Sequence, residues 1–157
     1  MDLSLMATDV QSEEGTWMPV LDFDWQTEIG CSILVLGPDS KEAMAIADEE
    51  EKLNQRRLAN TFVSKGKDTD KESPVDDGPA IRKAVRLTKG WKDVEWAGAP
   101  FPYTEGNAMI LYTKAPHVRN QVLGYWRDRS HFTSPEYASW RKRFGEGSSS
   151  TTPAKAE

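Results

Sequence analysis

The apolar residues near the start of the chain form two short runs separated by polar residues. Trp17–Leu21 and Cys31–Leu36 have the length and composition of strands, and Gly37-Pro38 ends the second run. The turn-rich segment 22–30 lies between them, so the pattern predicts a β-hairpin with a long connection. Pro19 cannot donate a backbone hydrogen bond to a neighbouring strand, so we expect the first strand at a sheet edge.

A charged helix is predicted to follow the hairpin. Asp39 and Glu42 have the spacing of a capping box, and the helical pattern continues to about Leu58. The apolar residues of this segment form only a thin stripe, which predicts a helix that is solvated on most of its sides. The stripe consists of Ala43, Ile46, Ala47 and Leu53.

The second half of the chain has a helical pattern. Pro79 suits the first turn of a helix, and Gly90 is expected to end that helix as a left-handed cap. Three more helices are predicted to begin at Thr104, at Pro116 and at the capping box Thr133–Glu136. The expected inward residues are Ile81, Ala84, Val85 and Thr88, then Ala108, Leu111 and Tyr112, then Val118, Val122, Tyr125 and Trp126, and finally Tyr137, Trp140 and Phe144.

These elements predict an α+β fold, mainly α, with an N-terminal β-hairpin plus helix followed by a small helical bundle. The segment 64–78 is charged and poor in apolar side chains, which indicates a flexible linker. The Ser/Thr/Gly/Ala-rich end indicates a disordered tail. The predicted boundaries are a disordered N-terminus 1–13, a β-hairpin and charged helix 14–62, a flexible linker 63–78, a helical bundle 79–145 and a disordered tail 146–157.

The net charge of -5 conceals a strong asymmetry along the chain. Residues 1–50 carry twelve acidic side chains and one basic one, whereas residues 114–144 carry seven basic side chains and two acidic ones. Such polarity can steer a partner or favour head-to-tail self-association. The alternative is two solvated faces of opposite sign.

The cysteine content and the hydropathy favour a cytoplasmic protein that does not enter membranes. Cys31 is the single cysteine, so no intramolecular disulfide and no cysteine-based zinc site can form. The N-terminus lacks the basic-then-apolar layout of a signal peptide, and the most apolar run is far too short to span a bilayer.

The residues that could carry chemistry have more ordinary explanations. His117 and His131 are the only histidines and lack the spacing of a metal pair. Asp22 and Asp24 could bind calcium or act in acid–base catalysis, but aspartate is common in turns because it bonds its own backbone. Cys31 lies in an apolar strand, which favours a packed thiol over a nucleophile. We therefore predict no catalytic residue, no metal site, no cofactor and no enzyme.

Three parts of the sequence resemble one family over roughly residues 14–132. They are Glu14–Met18 (EGTWM) with Gly37–Ser40 (GPDS), Gly90–Gly98 (GWKDVEWAG) with Pro102–Ala108 (PYTEGNA), and Pro116–Val122 (PHVRNQV) with Asp128–Phe132 (DRSHF). In these segments the chain is similar to the small tail assembly chaperones of long-tailed bacteriophages and prophages.

The resemblance implies a non-enzymatic role in the cytoplasm of the infected cell. Such chaperones bind the long helical tape measure protein, together with other tail proteins, and keep it soluble while the tail tube polymerises around it. The family has no catalytic residues to transfer. The alternatives are a phage structural protein, such as a head–tail joining protein, and an intracellular nucleic-acid-binding adaptor.

A chaperone of this kind needs a groove with apolar side chains and a polar rim. The helical half offers aromatic and basic residues for this purpose, namely Trp96, Tyr103, Tyr112, Arg119, Arg127, Arg129 and Arg141. Arginines beside Trp126 and Trp140 could instead stack with nucleic-acid bases. The acidic net charge and the helical spacing of these tryptophans favour a protein partner over nucleic acid.

Overall fold

The computed structural model describes residues 2–63 and 76–149, with side chains for residues 2–62 and 76–144. The described part has the predicted α+β, mainly helical, fold. The elements in chain order are a 3-10 helix Leu3–Met6, α1 Asp9–Glu14, β1 Thr16–Leu21, β2 Glu28–Val35, α2 Lys41–Val63, α3 Gly78–Leu87, β3 Thr88–Lys92, β4 Glu95–Trp96, β5 Ala99–Pro100, α4 Glu105–Lys114, α5 Pro116–Tyr125, a 3-10 helix Arg129–Phe132 and α6 Pro135–Ser149.

An antiparallel sheet of order β1-β2-β3 organises the molecule. The predicted hairpin is present, with Met18 opposite Ile33 and Pro19 on the edge strand β1. Side chains alternate between the faces of a strand, so Met18, Ile33 and Val35 share the buried face. The helices α3, α4 and α5 pack together, and α5 also contacts β1.

The third strand corrects the sequence prediction for Thr88 and Gly90. The helix ends at Leu87, Thr88 is extended, and Gly90 pairs with Leu34 in the ladder and caps no helix. The open edge of β2 offers hydrogen-bond partners along its length, and this tertiary pairing outweighs the helical spacing of the apolar residues.

One hydrophobic core joins the two predicted halves. Val35 from the hairpin, Leu87 from α3, and Tyr112 and Val122 from the last helices belong to the same cluster of buried residues. The segment 14–62 and the predicted bundle 79–145 therefore contribute to the same core. Of the predicted linker 63–78, residues 64–75 lie outside the described part of the chain, while α2 extends to Val63 and α3 begins at Gly78.

The N-terminal segment 1–13 is ordered from residue 2 onward, in contrast to the predicted disorder. Ser12 of α1 is fully buried, and its carbonyl accepts a hydrogen bond from the backbone N–H of Gly37 at 2.9 Å. At the other end, α6 extends to Ser149, so it includes the first residues of the predicted tail 146–157. Residues 150–157 lie outside the description.

Two predicted helix caps are displaced by one residue. The Ser40 hydroxyl accepts from the N–H of Ala43 at 3.2 Å, because Asp39 instead contacts Thr8 and Arg129. In the same way Ser134, the residue after Thr133, accepts from the N–H of Tyr137 at 3.1 Å. The predicted starts at Thr104 and Pro116 are confirmed.

The long helix α2 is attached to the molecule by its first half. Arg86 of α3 forms ion pairs of 2.6 Å with Glu42 and with Glu49, and Lys83 pairs with Glu50 at 2.7 Å. Residues 47–62 are all exposed. This agrees with the thin apolar stripe, since only Ala43 and Ile46 of the stripe are buried.

We predict that Gly37→Ala destabilises the protein by about 1–3 kcal/mol, the usual cost of overpacking. A Cβ atom at this position would lie 2.7 Å from Cβ and against Oγ of Ser12, and 2.8 Å from the ring of Phe132. Chemical denaturation measures the change in the free energy of unfolding. Gly90→Ala is the matched control, because nothing lies within 4 Å of its added Cβ. Equal stability of the two variants would contradict the packing.

We also predict that two co-expressed pieces of the chain, 1–68 and 69–157, assemble into the same fold as the intact chain. Strand β3 in the second piece pairs with β2 in the first, so the pieces should bind each other and co-purify. Size-exclusion chromatography and circular dichroism provide the measurement. An introduced proline, Ile33→Pro, removes a donor from the central strand and should abolish association. A second piece that folds alone would instead support an independent helical bundle.

Candidate protein-binding surfaces

Two of the predicted partner-binding residues belong to the core. Tyr112 is fully buried, its hydroxyl lies 2.5 Å from that of Thr88, and burial raises the pKa of the phenol. Arg119 is 7% exposed and donates from Nη1 to the carbonyl of Tyr112 at 3.1 Å, while Nη2 lies 3.6 Å from Asp77. Neither side chain is available to a partner, so these two predictions are wrong.

Trp96 and Tyr103 are parts of an aromatic cluster around Trp91. The Tyr103 hydroxyl donates to the carbonyl of Thr88 at 2.9 Å, which holds it against the end of α3. Trp91 donates from Nε1 to the carbonyl of Phe101 at 2.6 Å and contacts Tyr103 edge-on. Trp96 stacks on Phe101 with ring centroids 5.6 Å apart and is 36% exposed. Of this cluster, Trp96 presents the most accessible ring to a partner, because Tyr103, Trp91 and Phe101 are half-buried.

Arg129 and Arg141 lie at one cleft between the N-terminus and α6. The cleft measures about 240 Å³ and also includes Met6, Thr8 and Tyr137. Arg129 donates to both carboxylate oxygens of Asp39, at 3.0 Å from Nε and 3.1 Å from Nη2, which lowers the pKa of that carboxyl.

The remaining predicted residue, Arg127, is exposed in the turn after α5 and does not line this cleft. The predicted basic rim is therefore divided among separate places on the surface.

An apolar groove that the sequence pattern did not reveal lies between β1 and α5. We call it the β1–α5 groove; it measures about 350 Å³. Its lining consists of Met18, Pro19, Leu21, Trp25, Gln121, Gly124, Tyr125, Asp128 and His131. Pockets of this size that are mostly apolar and carry a few polar groups are typical binding sites.

Side chains of α5 close the edge of β1 beside this groove. Gln121 is 5% exposed; its Oε1 accepts from the N–H of Leu21 and its Nε2 donates to the carbonyl of Leu21, each at 2.8 Å. His117 places Nε2 3.2 Å from the same carbonyl and 3.0 Å from that of Asp22. These groups occupy hydrogen-bonding positions that a further strand would use, so the edge is protected at this point.

The loop after β1 carries two largely exposed aromatic side chains, Phe23 and Trp25. The Asp24 carboxylate accepts from the N–H groups of Gln26 and Thr27 and from the Thr27 hydroxyl, which lowers the pKa of Asp24 to about 2. Asp24 therefore has the turn-forming role that Asp-x-Asp favours. Phe23 and Trp25 contact the His117 ring at centroid distances of 4.5 and 4.7 Å.

The surroundings of the groove are both aromatic and acidic. Phe23 is 78% exposed and Trp25 is 53% exposed. Glu28 is exposed and stands opposite Leu21, a wall of the groove, in the β1–β2 ladder. Tyr125 stacks on His131 at 3.9 Å, and burial raises the pKa of Tyr125 to about 12. A ligand of this groove needs apolar side chains, and basic groups near them would be favoured.

A second aromatic surface belongs to α6. We call Tyr137, Trp140 and Phe144 the α6 aromatic face; the rings follow one another at centroid distances of 5.9 and 5.4 Å. Phe144 is 61% exposed, so the inward position expected for it is wrong, while Tyr137 and Trp140 are half-buried. The residues Arg141, Lys142 and Arg143 of the same helix are all exposed, so this surface combines aromatic and positive groups.

The described residues show no arrangement of chemical groups typical of a metal site. Among them, no three His, Cys, Asp or Glu side chains lie close enough to hold an ion. Cys31 is half-buried and burial raises the pKa of its thiol, which disfavours the reactive thiolate. No helix in the described ranges has the length and apolar character needed to cross a membrane.

Comparisons with known proteins add no relative. No family model matches the chain, and no similar chain was found among curated proteins or among solved structures.

We predict that Gln121→Leu lowers the free energy of unfolding by about 1–3 kcal/mol, the cost of leaving partly buried backbone groups without partners. The substitution removes both hydrogen bonds to Leu21. Thermal and denaturant unfolding measure the loss, and Asn120→Leu on the exposed side of α5 is the matched control. If the two variants unfold alike, the amide does not hold the edge strand.

Proposed function

We propose that this chain is a tail assembly chaperone of a long-tailed phage or prophage. It binds the tape measure protein in the host cytoplasm and keeps that protein soluble during tail morphogenesis. The observation that carries the proposal is the open β1–α5 groove beside the exposed aromatic residues Phe23 and Trp25. Apolar surface of this kind, with polar groups around it, is typical of protein-binding sites.

The segments that resemble the chaperone family support the proposal by their position. Met18 belongs to the first segment, Gln121 to the third, and His131 to the end of the third. All three residues line the β1–α5 groove. Segments that are far apart in the sequence thus contribute to one surface, as expected if the resemblance reflects a shared binding role.

The groove suits a partner with exposed apolar helical stripes. A tape measure chain presents long apolar helical stripes that would aggregate in water without a cover. An amphipathic helix binds a protein groove through anchors at i, i+3, i+4 and i+7. The apolar walls of the groove can take such anchors. Asp128 in the lining, with the exposed Asp22 and Glu28 next to and opposite Leu21, favours basic flanking side chains.

We predict that filling the groove weakens capture of the tape measure protein. In Gly124→Gln the new side chain starts from open space in the groove lining, so it blocks the groove without straining α5. Co-expression with the tape measure protein of the same phage, followed by pull-down and titration with its fragments, should show affinity reduced roughly tenfold, about 1.4 kcal/mol.

Gly106→Gln is the matched control, because Gly106 is exposed at the start of α4 and lies outside the groove. It should capture the partner as well as the unmodified chain does. If neither the unmodified chain nor the control retains any tape measure fragment, the proposal fails.

The salt dependence of binding separates this function from a nucleic-acid adaptor. Neutralisation of phosphates by arginines such as Arg127 and Arg141 would make DNA affinity fall steeply with salt. Binding of an apolar helix should keep most of its affinity, since salt mainly slows association. The test compares duplex and single-stranded DNA with tape measure fragments at low and moderate salt. Tight, salt-sensitive DNA binding without capture of fragments would favour the adaptor.

A further inference from the structure

The charge asymmetry of the sequence is partly neutralised within the fold. Glu42, Glu49 and Glu50 of α2 pair with Arg86 and Lys83 of α3. Asp39 pairs in turn with Arg129. The acidic helix α2 is therefore a poor site for a basic partner, because much of its charge is already compensated inside the molecule.

Two of the surfaces that keep uncompensated charge are of opposite sign. One is the β1–α5 groove, whose lining includes Asp128, while the exposed Asp22 and Glu28 lie next to and opposite the lining residue Leu21. The other is α6, where Arg141, Lys142 and Arg143 accompany the α6 aromatic face. Each surface combines large apolar groups with one sign of charge, so the two are complementary.

We propose that α6 of one copy of this chain docks in the β1–α5 groove of a second copy, head to tail. Phe144 supplies the apolar anchor, because it is the exposed ring of the α6 aromatic face, whereas Tyr137 and Trp140 are half-buried. Arg141 and Arg143 then approach the acidic residues beside the groove, Glu28 among them. Aromatic and arginine side chains are the groups that most often dominate binding at protein interfaces.

The architecture favours a second copy over binding within one chain. The α6 helix packs against the N-terminal 3-10 helix, and Ser134 at its start donates to the carbonyl of Leu5 at 3.3 Å. Tyr137 and Arg141 line the cleft there, whereas the lining of the β1–α5 groove includes no residue of α6. Each copy therefore presents both surfaces, which allows a ring or an open chain of copies.

The interface between α6 and the groove is small, so the association of two copies should be weak and dependent on salt. The described side chains of α6 span ten residues, about 15 Å of helix at 1.5 Å per residue. An interface of this size belongs among transient contacts, in which screening by salt removes part of the attraction. We expect sedimentation velocity of the purified chain to show reversible association that increases with concentration and decreases with salt.

Charge reversal on either side should give monomers. The double substitution Arg141→Glu/Arg143→Glu alters the helix, and Glu28→Arg alters the groove; all three residues are exposed, so the fold should tolerate the changes. Each variant alone should associate at least tenfold more weakly than the unmodified chain. Circular dichroism verifies that both are folded, and Phe144→Ser tests the apolar anchor without a change of charge.

Mixing the two charge variants is the decisive experiment. The Glu28→Arg chain keeps an intact α6 and the Arg141→Glu/Arg143→Glu chain keeps an intact groove, so the mixture should form a heterodimer. The controls reverse equal charge elsewhere, with Arg56→Glu/Arg57→Glu and Glu51→Arg on the exposed part of α2. These should associate like the unmodified chain.

Three results would overturn the inference: an unmodified chain that stays monomeric at high concentration, a mixture that stays monomeric, or controls that disrupt association as strongly as the test variants. The inference does not rest on the proposed chaperone function. Self-association is measured on the purified chain alone, and capture of the tape measure protein is measured separately, so either can fail while the other holds.

Discussion

The pairing of β2 with a strand on each of its sides is the interaction on which the rest of the structure depends. Ile33 at its centre faces Met18 on β1 and Trp91 on β3, and it is almost completely buried. Because β3 follows α3 directly, this pairing also brings α3 against the sheet. The backbone N–H of Leu36 reinforces the junction by donating to the carbonyl of Leu87 at 2.8 Å. A single strand in this way unites segments that the sequence pattern divides.

The edges of the sheet explain where a binding surface can exist. An edge strand presents unpaired backbone groups, and Pro19 removes one donor while Gln121 and His117 engage the groups at the end of β1. The same approach of α5 to β1 leaves a groove, because Gly124 has no side chain to fill the space. Protection of the edge and formation of the groove are therefore consequences of one packing arrangement.

The packing of these elements also determines which charged side chains are paired and which remain on the surface. Ion pairs between α2 and α3 and between Asp39 and Arg129 neutralise several of the acidic residues that are in excess among residues 1–50. Exposed ion pairs contribute little to stability, typically about 0.2–1 kcal/mol each. Their larger effect here is on the surface potential, since they neutralise part of the acidic charge of α2. Binding specificity depends on the surface charges that have no partner within the molecule more than on the net charge of the chain.

The sequence by itself determined the features that depend on neighbouring residues. The length and composition of the apolar runs predicted the hairpin. Thr104 and Pro116 marked helix starts correctly, because capping and the fixed φ of proline act within one turn. Only the tertiary structure decided the rest. Thr88–Lys92 became a strand, Arg119 became buried, and the groove arose between elements about 100 residues apart, as the Leu21–Gln121 hydrogen bonds show. Each of these outcomes depends on which distant surface a segment meets, and that information is not contained in local periodicity.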